Sequence, residues 1–213
     1  MIKQNEIGRS MIEMLGVLGI IGVLSVGSTL GVTKMFAQQK INKTIEQVSA
    51  ISSKLSQIGA QSGSYVGLDN EAAIKFGAIP SGAVDSLEDS TLINPFGGSI
   101  SLAPANLLIG ESDQQGYTIT YTDVPEDACI AISSHRWSSG SSSSLIGMGS
   151  GSNGAQAASL RSRLYQDCAG ISTSNYAVAC SGGATLDVPM NPRVAATACD
   201  CPQGGCVLVW MYF

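Results

Sequence analysis

The chain has 213 residues, a net charge of −5 and only 13 % charged side chains, where a soluble cytosolic domain carries about 25 %. No basic patch stands out, which argues against nucleic acid as the main partner. Setting aside an apolar N-terminal segment leaves roughly 150 residues, enough for one domain with its own core.

Residues 14–33 form a run of 20 positions without an ionisable side chain. As a helix, such a run is about 30 Å long, the thickness of a bilayer's hydrocarbon core. Glu13 stands at its edge, and a carboxylate there is costly enough in lipid to imply a task. The run is too long for an ordinary secretory signal, and no small-x-small cleavage site follows it. Taken alone it reads as a signal anchor. Gly16, Gly19, Gly22, Gly27 and Gly31 all fall in this helix, each costing up to about 1 kcal/mol relative to Ala. Membrane tolerance of glycine, close helix packing and local melting within an assembly each explain them, and the sequence leaves the three open.

Beyond the run, Ile41, Ile45, Val48, Ile51, Leu55 and Ile58 recur at spacings of three and four, with Lys43, Glu46, Gln47 and Lys54 off that stripe. Gly59 ends the pattern and Gly63 follows. One helix of roughly 50 residues over 10–58 is expected, its second half packed on a globular head.

Residues 59–95 are turn-rich. A short helix is expected over 70–76 with Asn70 as cap, and Asn94-Pro95-Phe96-Gly97-Gly98 reads as a turn. Strands are expected at 99–102, 106–109 and 117–121, the last alternating Tyr117, Ile119 and Tyr121 against Thr118 and Thr120. A helix opens at 124–130 with Asp123 as cap, Pro125 in the first turn, and Glu126 and Asp127 near its positive end. The Ser/Gly-rich stretch 138–152 reads as an exposed loop, and 155–165 as a helix. The apolar run 207–213 suits a strand in the middle of a sheet, because an exposed edge of that composition invites aggregation.

All six cysteines, Cys129, Cys168, Cys180, Cys199, Cys201 and Cys206, lie far beyond the apolar helix. An even count so placed reads as a disulfide framework in an oxidising compartment. A metal site is the rival reading. Cys199-x-Cys201-x4-Cys206 lacks the usual two-residue spacing, however, and His135 is the only histidine. Six cysteines allow about 15 pairings.

The pattern Gly8-Arg9-Ser10-Met11-Ile12-Glu13 ahead of the apolar run resembles the class III signal of the type IV pilin family. The run 17–27, with Gly19, Gly22 and Gly27, is most like the type IVb group, which includes the toxin-coregulated pilin. The resemblance implies a prepilin leader over 1–8, cut by a prepilin peptidase between Gly8 and Arg9, with N-methylation at Arg9, where the family usually has an apolar residue. It implies an N-terminal helix over 9–58, with 9–33 transmembrane and assembly-forming and 34–58 packed on the head, and a globular head over 59–213. The implied fold is α+β, a long helix on a disulfide-stapled antiparallel sheet. Glu13 becomes the fifth mature residue and pairs with the N-terminal amine of a neighbouring subunit, an attraction that is strong at low dielectric. Gly16, Gly19, Gly22 and Gly27 become helix-packing positions. Such heterologous contacts do not close, so they generate a helical fibre. The family's long bridge corresponds to Cys129–Cys199, with Cys168–Cys180 and Cys201–Cys206 expected as local staples.

No nucleophile elbow, phosphate loop or zinc-binding helix is present, and the carboxylates are scattered. Cys129 and His135 stand six apart, but the surrounding cysteines argue against a free thiol. His135-Arg136-Trp137 reads as a surface cluster at a helix end. No enzyme, cofactor or metal is expected. The expected function is the major subunit of a type IVb-like pilus, a self-polymer that starts in the inner membrane, meets the pilus assembly machinery and ends as an extracellular filament. A minor pilin or type II secretion pseudopilin is the alternative within the family, and a membrane-anchored periplasmic binding module the alternative outside it.

Overall fold

The structure, a computed structural model, describes residues 6–106, 114–137, 144–152, 176–180, 189–201 and 204–213, with side chains described except at 6–10, 24–32 and 176–180. The chain divides into two compact units, Met1–Gln39 and Lys40–Phe213. Helix α1 (Glu6–Ser62, 57 residues) contributes to both.

In the first unit, the large apolar side chains of α1 from Met11 to Val23 are all exposed. Among the described residues no helix is long and apolar enough to cross a membrane. The side chains of 24–32, which belong to the expected span, lie outside the described residues.

In the second unit, α1 buries Ile41, Val48, Ile51 and Leu55, while Ile45 and Ile58 are half-buried. Gln47, expected off the stripe, is buried as well. Its amide oxygen accepts the Tyr121 hydroxyl at 3.4 Å, which supplies the partner a buried amide needs. Thr44 is buried and donates to the Lys40 carbonyl at 3.0 Å. The helix does not stop at Gly59. It runs to Ser62, and the Gly63 N–H closes it on the Gly59 carbonyl at 2.8 Å.

Seven antiparallel strands follow in the order β1-β2-β3-β4-β7-β5-β6. They are β1 (Val84–Ser86), β2 (Thr91–Ile93), β3 (Ser99–Ala105), β4 (Gly116–Val124), β5 (Leu145–Ser152), β6 (Tyr176–Cys180) and β7 (Cys206–Tyr212). The C-terminal strand β7 lies between β4 and β5, and all of its residues are buried. Tyr117, Ile119 and Tyr121 pair with Tyr212, Trp210 and Leu208. The two-residue period therefore sets these six on one face, in one core with Val48, Ile51 and Leu55 of α1. Val207, Val209 and Met211 are buried on the opposite face, which accounts for the unbroken apolar run.

Several expectations need correction. The Ser/Gly stretch is not a loop throughout: Leu145–Ser152 is strand β5, while 138–143 lies outside the described residues. Glycine and serine favour strands poorly, but here pairing with β6 and β7 overrides propensity, and Leu145 and Met148 are buried. Helix α2 (Asn70–Lys75) is capped by Asp69, whose carboxylate accepts the Ala72 N–H at 2.8 Å. Asn70 bonds β3 instead. Helix α3 (Glu126–Ser133) has Pro125 at its N-cap with no side-chain cap bond. Asp123 sits at φ 56° in an irregularity of β4 and accepts from the Thr122 hydroxyl at 2.8 Å. Strand β3 runs past Leu102 to Ala105, and β1, β2 and β6 were not anticipated. The expected strand 106–109 falls outside the described residues apart from Asn106, which is not in a strand, and the expected helix 155–165 falls outside them entirely.

Candidate assembly segment and disulfide-bonded head

Glu13 lies on α1, exposed among exposed Met11, Ile12, Met14 and Leu15. At Gly16, Gly19 and Gly22 nothing lies within 4 Å of where a Cβ would stand. Bare backbone is thus presented outward at these positions. Gly27, and the Gly8–Arg9 step, fall within α1, but their side-chain surroundings lie outside the described residues.

The head's cysteines converge from three elements. Cys129 is on α3, Cys199 caps the end of α4 (Pro192–Ala198), and Cys206 begins β7. Helix α4 starts where it does because Pro192 opens it and the Asn191 side chain accepts the Arg193 N–H at 3.0 Å. Cys129 is bonded to Cys199 across a separation of 70 residues, with Cα atoms 5.8 Å apart. Cys201 is bonded to Cys206 across five residues, with Cα atoms 5.5 Å apart. Cys168 lies outside the described residues, as does the side chain of Cys180. Cys129 is therefore no thiol partner for His135. The His135 ring packs edge-on against Trp137 at 5.3 Å, and Trp137 packs on Trp210 at 5.0 Å. The Trp137 indole donates to the Ile132 carbonyl at 3.0 Å. This cluster seats the end of α3 on the sheet.

A set of tyrosines joins α1 to the sheet, and the sequence reading missed its role. Tyr117 donates to the Ser52 carbonyl at 3.0 Å, and Tyr65 to the Leu55 carbonyl at 3.3 Å. With the Tyr121–Gln47 bond, three phenols spend their protons on one helix. Burial pushes the Tyr117, Tyr121 and Tyr212 phenols well above the usual range. The alternation in β4 was the available signal, since it set Tyr117 and Tyr121 on one face. Among the described residues, the groove beside them is lined by Ser56, Gly59, Tyr65, Gln115, Ser144 and Phe213 among others, none with a charged side chain.

The family described as PilS N terminal matches residues 38–209. The chain belongs to the PilS family of type IV pilins. Two relatives, each named major structural subunit of bundle-forming pilus, come from Escherichia coli O127:H6 (strain E2348/69 / EPEC) and Escherichia coli O111:H-. Each is 30 % identical to this pilin over 141 residues, 62 % of the chain and 66 % of the relative. The matched stretch thus spans just under two thirds of the relatives' length. Among solved structures, a type IV b pilin from Salmonella typhi is 21 % identical, covering 79 % of this pilin and 97 % of that chain, with a TM-score of 0.47. TcpA, a type IV pilin from Vibrio cholerae El Tor biotype, is 13 % identical, covering 82 % and 99 %, with a TM-score of 0.48.

Proposed function

We propose that this chain is the major structural subunit of a type IVb-like pilus, polymerising through its N-terminal helix into an extracellular filament. The observation that carries the reading is the exposed apolar surface of α1 from Met11 to Val23, with Glu13 set in it, in a member of a pilin family. A continuous apolar surface of this kind needs a partner phase or partner protein. Lipid of the inner membrane covers it in the precursor, and the helices of other copies cover it in the fibre. The name of the two relatives, major structural subunit of bundle-forming pilus, supports the same assignment.

In this reading residues 1–8 are a leader removed by a prepilin peptidase, 9–33 span the membrane before assembly, and 59–213 form the head on the oxidising side. Cleavage between Gly8 and Arg9 creates an amine, methylated at Arg9, that pairs with Glu13 of the next subunit. Gly16, Gly19, Gly22 and Gly27 let neighbouring helices approach closely. The chain's work is scaffolding rather than catalysis, and its partners are itself and the pilus assembly machinery.

The test is to shear cells and identify the dominant fibre protein, then read its N-terminus by mass spectrometry. A mature chain beginning at Arg9 and dominating the sheared fraction is expected. Retention of Met1 in the fibre would overturn the prepilin reading. Trace amounts confined to the membrane would replace the major subunit with a minor pilin.

A further inference from the structure

We propose that the two bridges Cys129–Cys199 and Cys201–Cys206 form a relay, in which Cys206 passes an oxidising equivalent from the local pair to the long-range one. The sulfurs of Cys129, Cys199 and Cys206 all lie within 4.8 Å of one another. Two of the three belong to one bridge and the third to the other, so a thiolate at Cys129 or Cys199 lies within 4.8 Å of Cys206 Sγ, and one at Cys206 within 4.8 Å of both sulfurs of the long bridge. All three are buried, whereas Cys201 is half-buried. External oxidants therefore meet the local pair first.

Loop closure orders the events. Cys201 and Cys206 are five positions apart in sequence, and Cys129 and Cys199 are 70 apart. The short loop loses far less entropy on closing, so its bond forms first. The Cys129 thiolate then attacks Cys206 Sγ. The Cys129–Cys206 bond forms, the Cys201–Cys206 bond breaks, and the electron pair leaves on Cys201. Next the Cys199 thiolate attacks Cys129 Sγ, forming Cys129–Cys199 and expelling the Cys206 thiolate. Neither exchange needs a further reactant. A protein disulfide of the compartment then accepts two electrons and two protons from Cys201 and Cys206, is itself reduced to a dithiol, and so restores the local bond. The buried Ser133 hydroxyl lies 3.9 Å from Cys199 Sγ, so it can donate to that sulfur while it carries charge.

The relay is tested on the full-length chain in detergent with Cys201→Ser, which leaves a Cys206 thiol beside the intact long bridge. Samples held near pH 8 are quenched over time by differential alkylation, and the monomer's disulfides are mapped by mass spectrometry. Two interconverting isomers are expected, Cys129–Cys199 with Cys206 free and Cys129–Cys206 with Cys199 free, the second reaching about a tenth of the total or more. Adding Ser133→Ala slows the interconversion several-fold. A Cys129–Cys199 isomer that stays alone over hours would overturn the proposal. A second measurement does not depend on that variant's folding. Wild-type chain, fully reduced and then reoxidised with a small-molecule disulfide, is quenched at intervals. Cys129–Cys206 is expected before Cys129–Cys199, and formation of the long bridge with no such intermediate would refute the relay.

Discussion

Gly59 of α1 is packed so closely beneath Tyr65 that a Cβ on the glycine would lie 2.0 Å from the Tyr65 hydroxyl oxygen. The missing side chain makes room for that ring, which packs at a tilt of 55° on Tyr117, centroids 4.7 Å apart, and whose hydroxyl donates to the Leu55 carbonyl. Gly59→Ala gains up to about 1 kcal/mol of helix propensity. It also displaces the ring, and overpacking of this kind costs about 1–3 kcal/mol, with about 1 kcal/mol more for the hydrogen bond. The clash wins, so a net loss of about 1–3 kcal/mol is expected. Urea unfolding of the full chain in detergent, followed by near-ultraviolet circular dichroism, measures it. A raised midpoint would contradict this packing.

Asn70 fastens α2 to the sheet. Its amide nitrogen donates to the Ile100 carbonyl at 3.1 Å, and its amide oxygen accepts the Leu102 N–H at 2.9 Å. Both bonds go to one edge of β3. Asn70→Ala should cost about 1–3 kcal/mol by leaving both backbone groups without this partner. Asp69→Ala, which removes only an exposed helix cap, should cost about 1 kcal/mol. The ranking of the two in the same unfolding assay checks the assignment.

These two residues also show what the sequence made legible. The long helix, its stripe and the central place of β7 follow from apolar periodicity, which burial enforces directly. By local pattern alone Gly59 reads as a helix stop and Asn70 as a helix cap. Tertiary contacts from Tyr65 and β3 assigned them differently. Strand β5 was hidden for a related reason, since Gly147, Gly149 and Gly151 carry no strand signal of their own and take their conformation from β6 and β7. Its polarity sets Gln47 off the apolar stripe, because the Tyr121 hydroxyl that satisfies it lies 74 positions away in sequence. The pattern around Gly8 and Glu13 is contiguous, so its resemblance to a class III signal is seen without any tertiary contact.

The two bridges should differ in their contribution to stability. In the chain-entropy account, a bridge closing 70 residues contributes about 4 kcal/mol and one closing five about 2 kcal/mol. Replacing both members of a pair avoids new free thiols. Cys129→Ser with Cys199→Ser should therefore lower the unfolding free energy about twice as much as Cys201→Ser with Cys206→Ser. Equal losses would mean that local packing, rather than loop closure, sets their contributions.

Alkaline pH should unfold the head through its buried tyrosines. Burial raises the phenols of Tyr117, Tyr121 and Tyr212 in the folded state, while in the unfolded chain they ionise near pH 10. The folded state therefore holds its protons more tightly. Its stability is intact below about pH 10 and falls as pH rises through the window between the unfolded and folded values. Each such group contributes about 1.4 kcal/mol per pH unit in that window. The Tyr117 and Tyr121 protons are also engaged, in bonds to Ser52 and Gln47. Tyrosinate absorbance should rise in one step together with loss of tertiary circular dichroism above pH 10. A smooth titration near pH 10 with the fold intact would contradict the buried placement.

Glu13 offers the sharpest separation of folding from assembly. It is exposed on α1 in the first unit, while the head's core lies in residues 41 onward. Glu13→Ala should leave the head's unfolding midpoint within about 0.5 kcal/mol of wild type, as surface substitutions do. Membrane insertion should persist, because the change removes a charge that lipid disfavours. Under the proposed pairing, fibre yield should fall steeply, since the N-terminal amine would lose its carboxylate partner at a cost of about 3–5 kcal/mol. Glu13→Gln should fail in the same way, because it keeps size and hydrogen bonding but not charge. Quantifying sheared fibres against membrane-bound subunit reads both effects at once. Normal yield from both variants would remove the charge pair from the assembly mechanism, and loss of membrane-bound subunit would move Glu13's role to folding or insertion.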